Sequence, residues 1–214
     1  MRKIRGVLVG VLCIGVFAAP SAFASKGELL NKEGKALVKN KFTGTLGESK
    51  LESVEKASVT CKGGTITGVV TSVKAAEASI VLESCKSGLQ SCQTGAKEGE
   101  LDLPTTTLSV LPYIEASTTY GLKEVVVHCP KLELTVDVNG SFLVPIGASQ
   151  EKTFKTEYKF TAKQTEGKQM PLEGENAEKE TFRFSLEANF GMGFIRAGFA
   201  APITIRYEEL AEYV

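Results

Sequence analysis

The sequence contains no tryptophan and only one histidine, and both shortages restrict what the protein can do. Carbohydrate-binding surfaces usually rely on flat aromatic rings, so the lack of tryptophan weighs against such a surface. Ser-His-Asp or Cys-His catalysis would have to use His128, which stands between Val127 and Cys129 without a nucleophile elbow. We therefore predict that His128 is structural or simply exposed.

An excess of charge of one sign is also missing, because 25 basic residues balance 25 acidic residues among 214. A polybasic nucleic-acid binder would need a net positive face, and a disordered acidic tail would need a surplus of carboxylates. Both classes are disfavoured, and no nucleic-acid partner is expected.

Long apolar runs are confined to the N-terminus. Residues 1–24 combine a basic start, an apolar run over residues 6–19 and an Ala-x-Ala cleavage site ending at Ala24, which predicts a secretory signal peptide. The run is shorter than the roughly 20 apolar residues that span a bilayer. We expect a secreted, extracellular or cell-envelope protein with no membrane span after signal cleavage.

The chain has few cysteines, and their number is even once Cys13 is removed with the predicted signal peptide. The remaining four are Cys61, Cys85, Cys92 and Cys129. An even number in an exported protein predicts two disulfides. Of the three connectivities that four cysteines allow, we favour Cys85–Cys92, whose short polar loop can bring its ends together, with Cys61–Cys129 as the second bridge.

Cysteine spacing disfavours metal and redox chemistry. Structural zinc sites usually combine closely spaced cysteine pairs, or mix cysteine with histidine. The close pair here is separated by six residues, Lys-Ser-Gly-Leu-Gln-Ser, and the sequence has no C-x-x-C motif. No metal or cofactor is predicted.

From Phe42 onward the chain is rich in Thr, Val, Ile and Phe, which is typical of short β-strands. Residues 132–138 alternate between apolar and polar side chains, as a half-buried strand does. Asn139 and Gly140 follow at once, and this dipeptide predicts a hairpin turn before residues 142–144.

About ten short strands and few helices predict an all-β fold, an antiparallel β-sandwich or β-barrel. After the signal peptide we place a polar N-terminal segment at 25–40 and a single β-rich domain at 41–214. A subdivision near 149–153 remains open. The polar residues 163–180 are expected to form a long loop or loose hairpin.

Paired carboxylates could support glycoside hydrolysis without a histidine. The candidates are either Glu98, Glu100 and Asp102, or Glu133 and Asp137 on the polar face of one strand. A solvated surface explains all of them. A further acidic group, which lacks the residue order of a calcium loop, consists of Glu173, Glu175, Glu178 and Glu180. A secreted hydrolase using these carboxylates or His128 is the alternative function.

Short turn and cysteine motifs occur along the whole mature chain. They are the run 30–35, Thr60-Cys61, Cys85 with Cys92, His128-Cys129, Asn139-Gly140-Ser141, Pro145 and the run 207–209. Together they resemble a group of exported actinobacterial proteins that often occur as many paralogues with no assigned function. The resemblance implies an extracellular β-rich protein and supplies no catalytic or binding residue.

We therefore expect an exported, non-enzymatic β-domain that acts as a cell-surface or extracellular binding or structural module. Its partner, a protein or an envelope component, is not identified by the sequence. A deep apolar pocket lined by Phe or Ile would favour a small ligand, and a flat polar face would favour contact with a protein.

Overall fold

The computed structural model describes residues 28–111, 117–146, 153–170, 173–175, 181–183 and 185–214. The signal peptide predicted over residues 1–24 lies outside these ranges. The subdivision considered near residues 149–153 falls almost entirely outside them as well.

The described residues are almost all β-strand, which confirms the all-β prediction. In chain order the strands are β1 (Leu29–Asn31), β2 (Lys41–Leu46), β3 (Ser49–Ser53), β4 (Ser58–Cys61), β5 (Gly63–Ser72), β6 (Ala75–Glu83), β7 (Lys86–Ser87), β8 (Gln90–Ser91), β9 (Leu101–Leu111), β10 (Ser117–Cys129), β11 (Leu134–Pro145), β12 (Lys155–Thr165), β13 (Lys168–Met170), β14 (Glu173–Glu175), β15 (Thr181–Arg183), β16 (Leu186–Asn189) and β17 (Phe194–Tyr213). A short 3-10 helix, Pro130–Leu132, separates β10 from β11.

One antiparallel sheet of 15 strands dominates the fold. Twelve of them follow the order β16-β11-β10-β9-β6-β5-β2-β17-β3-β4-β7-β8, while β1 and β12 pair with β17, and β13 pairs with β12. Strand β16 also pairs with β17, so the strands from β16 to β17 are linked in a ring of pairings. The two joints through β16 are each only a few residues long. Strands on both sides of residues 149–153 belong to this sheet.

Strands β2 and β3 lie in line along one edge of β17. Leu46 in β2 is opposite Ile203, and Lys50 in β3 is opposite Ala200. The N-terminal segment contributes β1, in which Leu29 pairs with Tyr213 near the other end of the chain. The 20-residue β17 therefore holds together strands that are distant in sequence.

The hairpin predicted at Asn139 and Gly140 is wrong, because β11 runs unbroken through both residues. Gly140 lies opposite Leu122 of β10 and has a φ of +112°. A Cβ atom on Gly140 would lie 2.1 Å from the carbonyl oxygen of Ser185. Glycine is thus needed here for the close approach of β16, while the chain reverses at the 3-10 helix Pro130–Leu132.

The polar stretch at 163–180 begins with a hairpin between β12 and β13, which turns at Glu166 and Gly167. Gly167 has a φ of +74°, and a Cβ atom there would lie 2.2 Å from the carbonyl oxygen of Ser53. The turn is therefore pressed against the end of β3, and only glycine fits this position.

Two disulfides are present as predicted, but the predicted pairing is wrong. The Cys85–Cys92 and Cys61–Cys129 bridges do not form. Cys61 is joined to Cys85, with their Cα atoms 4.0 Å apart, and Cys92 is joined to Cys129, with Cα atoms 4.1 Å apart.

Strand register explains the observed disulfides. Thr60 in β4 pairs with Lys86 in β7, so the residues next to them, Cys61 and Cys85, are brought together. Gln93 forms an antiparallel bridge with His128, which places the preceding Cys92 beside Cys129. The prediction relied on the short loop between Cys85 and Cys92, whereas contacts between distant strands decide the pairing.

Candidate functional site

An apolar cavity of about 60 Å³ lies on the inner side of the ring of strands. Every strand of the ring contributes to its wall, and β3 and β4 add to it. The lining residues are Leu46, Ser49, Leu51, Val59, Cys61, Ile66, Ile80, Leu82, Leu101, Leu103, Val125, Val127, Val138, Phe142, Leu186, Phe199 and Ile203. Except for one serine and one disulfide-bonded cysteine, these side chains are hydrocarbon.

The period of two residues in a β-strand explains why the wall is apolar. In β10, Val125 and Val127 are 3% and 2% exposed and face the cavity, whereas Val126 between them is 37% exposed. In β6, Ile80 and Leu82 face inward in the same way. The alternating sequence of the ring strands thus builds a shared apolar interior.

Ser49 is the hydroxyl residue of this wall. It is 2% exposed, and its Oγ atom has no hydrogen-bond partner among the described residues. Ser53, at the other end of β3, is fully buried and its Oγ likewise has no partner in the described part of the chain. Ser53 does not line the cavity.

A polar group centred on Glu52 fastens the β12–β13 hairpin to β3. Gln164 Nε2 donates a hydrogen bond of 2.8 Å to Glu52 Oε2, and Lys50 Nζ lies 3.0 Å from Glu52 Oε1. Two hydrogen bonds hold the pKa of the Glu52 carboxyl below its usual 4.5. The one from Lys50 has the larger effect and the one from Gln164 the smaller. Glu52 is therefore a paired, structural carboxylate.

Gln169 in β13 fastens the same hairpin to β17. Its Nε2 donates to the carbonyl oxygen of Lys163 at 2.7 Å, and its Oε1 accepts from the backbone N–H of Phe199 at 2.8 Å. Phe199 lines the cavity and lies 5.3 Å, centroid to centroid, from the ring of Phe142. The hairpin thus supports one wall of the cavity from outside.

A cluster of buried aromatic rings packs β12 against the second half of β17. Tyr158 and Tyr213 meet edge to face with centroids 4.8 Å apart, and the hydroxyls of Tyr207 and Tyr213 lie 2.6 Å apart. Burial raises the pKa of Tyr158. The hydroxyl groups of these tyrosines lie within hydrogen-bond distance of other groups of the protein, so the cluster is structural.

The structure places the residues considered for catalysis away from the cavity wall. His128 is exposed on β10, with its Nδ1 atom 3.3 Å from Thr135 Oγ1. Glu133 is exposed just after the 3-10 helix, and Asp137 Oδ2 accepts a hydrogen bond of 3.4 Å from Asn189 Nδ2. None of these three predicted groups lines the cavity.

The remaining acidic candidates that the structure describes also lie outside the cavity wall. Glu98 Oε1 is 3.9 Å from Lys131 Nζ, and Glu100 forms an ion pair with Lys97. Asp102 belongs to β9 and faces away from the cavity. Glu173 and Glu175 form the ends of β14, while Glu178 and Glu180 lie outside the described residues. Across the ranges that the structure describes, no three His, Cys, Asp or Glu residues form a metal-binding group.

Sequence reasoning missed both the cavity and Ser49. Alternation within β3 places Ser49, Leu51 and Ser53 on one face, so the pattern indicated an inward serine. It could not indicate which other strands meet that face. That arrangement depends on the order of strands around the ring.

Three further observations concern the compartment of the protein and its similarity to known proteins. The disulfides are consistent with an oxidising, extracellular environment. Within the described part of the chain, no helix has the length and apolar character needed to cross a membrane. Comparison with protein-family models, curated proteins and solved structures finds no match for this chain.

Proposed function

We propose that the protein is an exported, non-enzymatic module that holds a small apolar ligand in the cavity of its ring of strands. The observation that carries this proposal is the cavity wall, in which hydrocarbon side chains from many strands face one shared space. Binding sites for small molecules are usually concave, mostly apolar and equipped with few polar groups.

The size of the cavity limits the ligand. A water molecule needs at least about 10–15 Å³ of such space, so a cavity of about 60 Å³ admits a short chain of a few non-hydrogen atoms. Its hydrocarbon lining would exclude an ion, because a buried charge without a partner is strongly unfavourable. A small neutral molecule, or the apolar end of a longer one, fits these requirements.

The charges of the described residues support binding rather than hydrolysis. A hydrolase would need titratable groups that converge on a cleft, but none of the residues that line the cavity is Asp, Glu, His, Lys or Arg. Two carboxylates with lowered pKa values, Glu52 and Glu157, are paired with Lys50 and Arg206 outside the cavity wall. Export is proposed from the signal-like N-terminus and is supported by the two disulfides.

Xenon binding followed by NMR of isoleucine δ1 methyl groups tests the proposal. Ile66, Ile80 and Ile203 line the cavity, whereas Ile146 and Ile205 are buried elsewhere and provide an internal control. We expect saturable shifts at the three lining methyls and much smaller shifts at the two others. Equal shifts at all five, or none, would contradict a ligand cavity.

A further inference from the structure

We infer that the ligand carries one hydrogen-bonding oxygen that pairs with the hydroxyl of Ser49. This inference rests on the proposed function and names the chemical class of the ligand: a short, neutral alcohol, ketone or ester group attached to an apolar body. The inference is carried by Ser49, which lines the cavity and whose buried Oγ has no hydrogen-bond partner among the described residues.

A buried hydroxyl without a partner is unfavourable, and most buried polar groups in proteins are hydrogen-bonded. Ser49 is 2% exposed and lies opposite Cys61 of β4 in the sheet. Alanine at this position would leave no polar group in the apolar wall. Serine avoids the cost of an unsatisfied hydroxyl only if a group inside the cavity forms a hydrogen bond with it. A ligand oxygen can supply that missing partner.

The rest of the wall fixes the charge of the ligand. Apart from Ser49 and the disulfide-bonded Cys61, the residues that line the cavity have hydrocarbon side chains. A carboxylate or ammonium group there would be a buried charge with only one hydroxyl partner, which is strongly unfavourable. An uncharged oxygen needs a single hydrogen bond and can leave its alkyl body against Leu51, Ile66 and Phe199.

Two probes of equal heavy-atom number separate shape from hydrogen bonding. n-Pentane tests the apolar cavity alone, and 1-butanol replaces one methyl group by a hydroxyl. Their dissociation constants are measured by methyl NMR titration for the wild type, Ser49→Ala and Ser53→Ala. Ser53 is the matched control, because its buried hydroxyl on β3 also has no partner in the part of the chain that the structure describes, but it does not line the cavity.

The quantity compared is the preference of each protein for 1-butanol over n-pentane. We expect Ser49→Ala to lower this preference about tenfold, as befits the loss of one buried hydrogen bond, and Ser53→Ala to leave it unchanged. Both variants should keep the wild-type NMR fold, since each removes an unpaired hydroxyl.

The two failures are distinguishable. If n-pentane binds but Ser49→Ala has the same preference for 1-butanol as the wild type, Ser49 does not form a hydrogen bond with the ligand oxygen. This inference is then overturned while the cavity proposal stands. An equal loss of preference in Ser53→Ala also overturns the inference. If neither probe binds the wild type, the proposed function and the inference both fail.

Discussion

The hydroxyl oxygen of Tyr158 lies 2.5 Å from the backbone carbonyl oxygen of Ala211, although 53 residues separate them in the chain. The same hydroxyl is 2.7 Å from the carbonyl oxygen of Thr153. One buried side chain thus connects the start of β12 with the last part of β17. Because β17 also carries a wall of the cavity, this contact stabilises the frame around it.

Tyr158→Phe should lower the free energy of unfolding by about 1–3 kcal/mol, because it removes the hydroxyl that donates to the buried carbonyl oxygen of Ala211. Urea denaturation measures the change. Lys159→Ala is the control, since Lys159 is exposed on the opposite face of β12 and should alter stability by no more than about 0.5 kcal/mol. Equal effects of both variants would show that the hydroxyl contact contributes nothing.

The disulfide pairing gives a second prediction. Peptide mapping without reduction should recover Cys61 joined to Cys85 and Cys92 joined to Cys129. These bridges close loops with sequence separations of 24 and 37 residues, so replacing either pair by alanine should lower stability by about 2–4 kcal/mol. A peptide that links Cys85 to Cys92 would contradict the observed strand register.

Comparison of Gly167 with Gly191 tests the contact between the β12–β13 hairpin and Ser53. Both have positive φ, at +74° and +95°, but a Cβ atom on Gly167 would meet Ser53 whereas one on Gly191 would meet nothing within 4 Å. Gly167→Ala should therefore be about 1–3 kcal/mol more destabilising than Gly191→Ala in urea denaturation. Similar losses of stability in the two variants would mean that only backbone strain, and not the contact with Ser53, makes alanine unfavourable at these positions.

Acid should weaken the fold through Glu52. The hydrogen bond from Lys50 lowers the pKa of the folded carboxyl below 4.5, so this stabilisation is present above that pH and lost as the pH falls through the folded pKa. The free energy of unfolding should fall less steeply from about pH 5 to about pH 3 in Glu52→Gln than in the wild type.

Lys50→Met provides the companion measurement, because it removes the largest cause of the lowered pKa. Carboxyl NMR should show the Glu52 titration at a higher pH in this variant than in the wild type. An unchanged titration would assign the lowered pKa to another group.

The strand class and the inward alternation follow from local pattern, as β12 shows. Tyr158 and Phe160 are buried on one face of this strand and Lys159 between them is exposed on the other, as the alternating sequence of apolar and charged residues indicates. Local pattern failed at Asn139 and Gly140, because an approach of β16 rather than a turn requires that glycine. The disulfides and the cavity likewise depend on strand order, which neighbouring residues do not determine.

A crystal structure of the wild-type protein under xenon pressure tests the cavity most directly. We expect xenon in van der Waals contact with Ile66, Ile80 and Phe199, inside the ring of strands. An interior packed solid by these side chains, with xenon absent or bound only at the surface, would contradict the proposal that this fold holds a small apolar ligand.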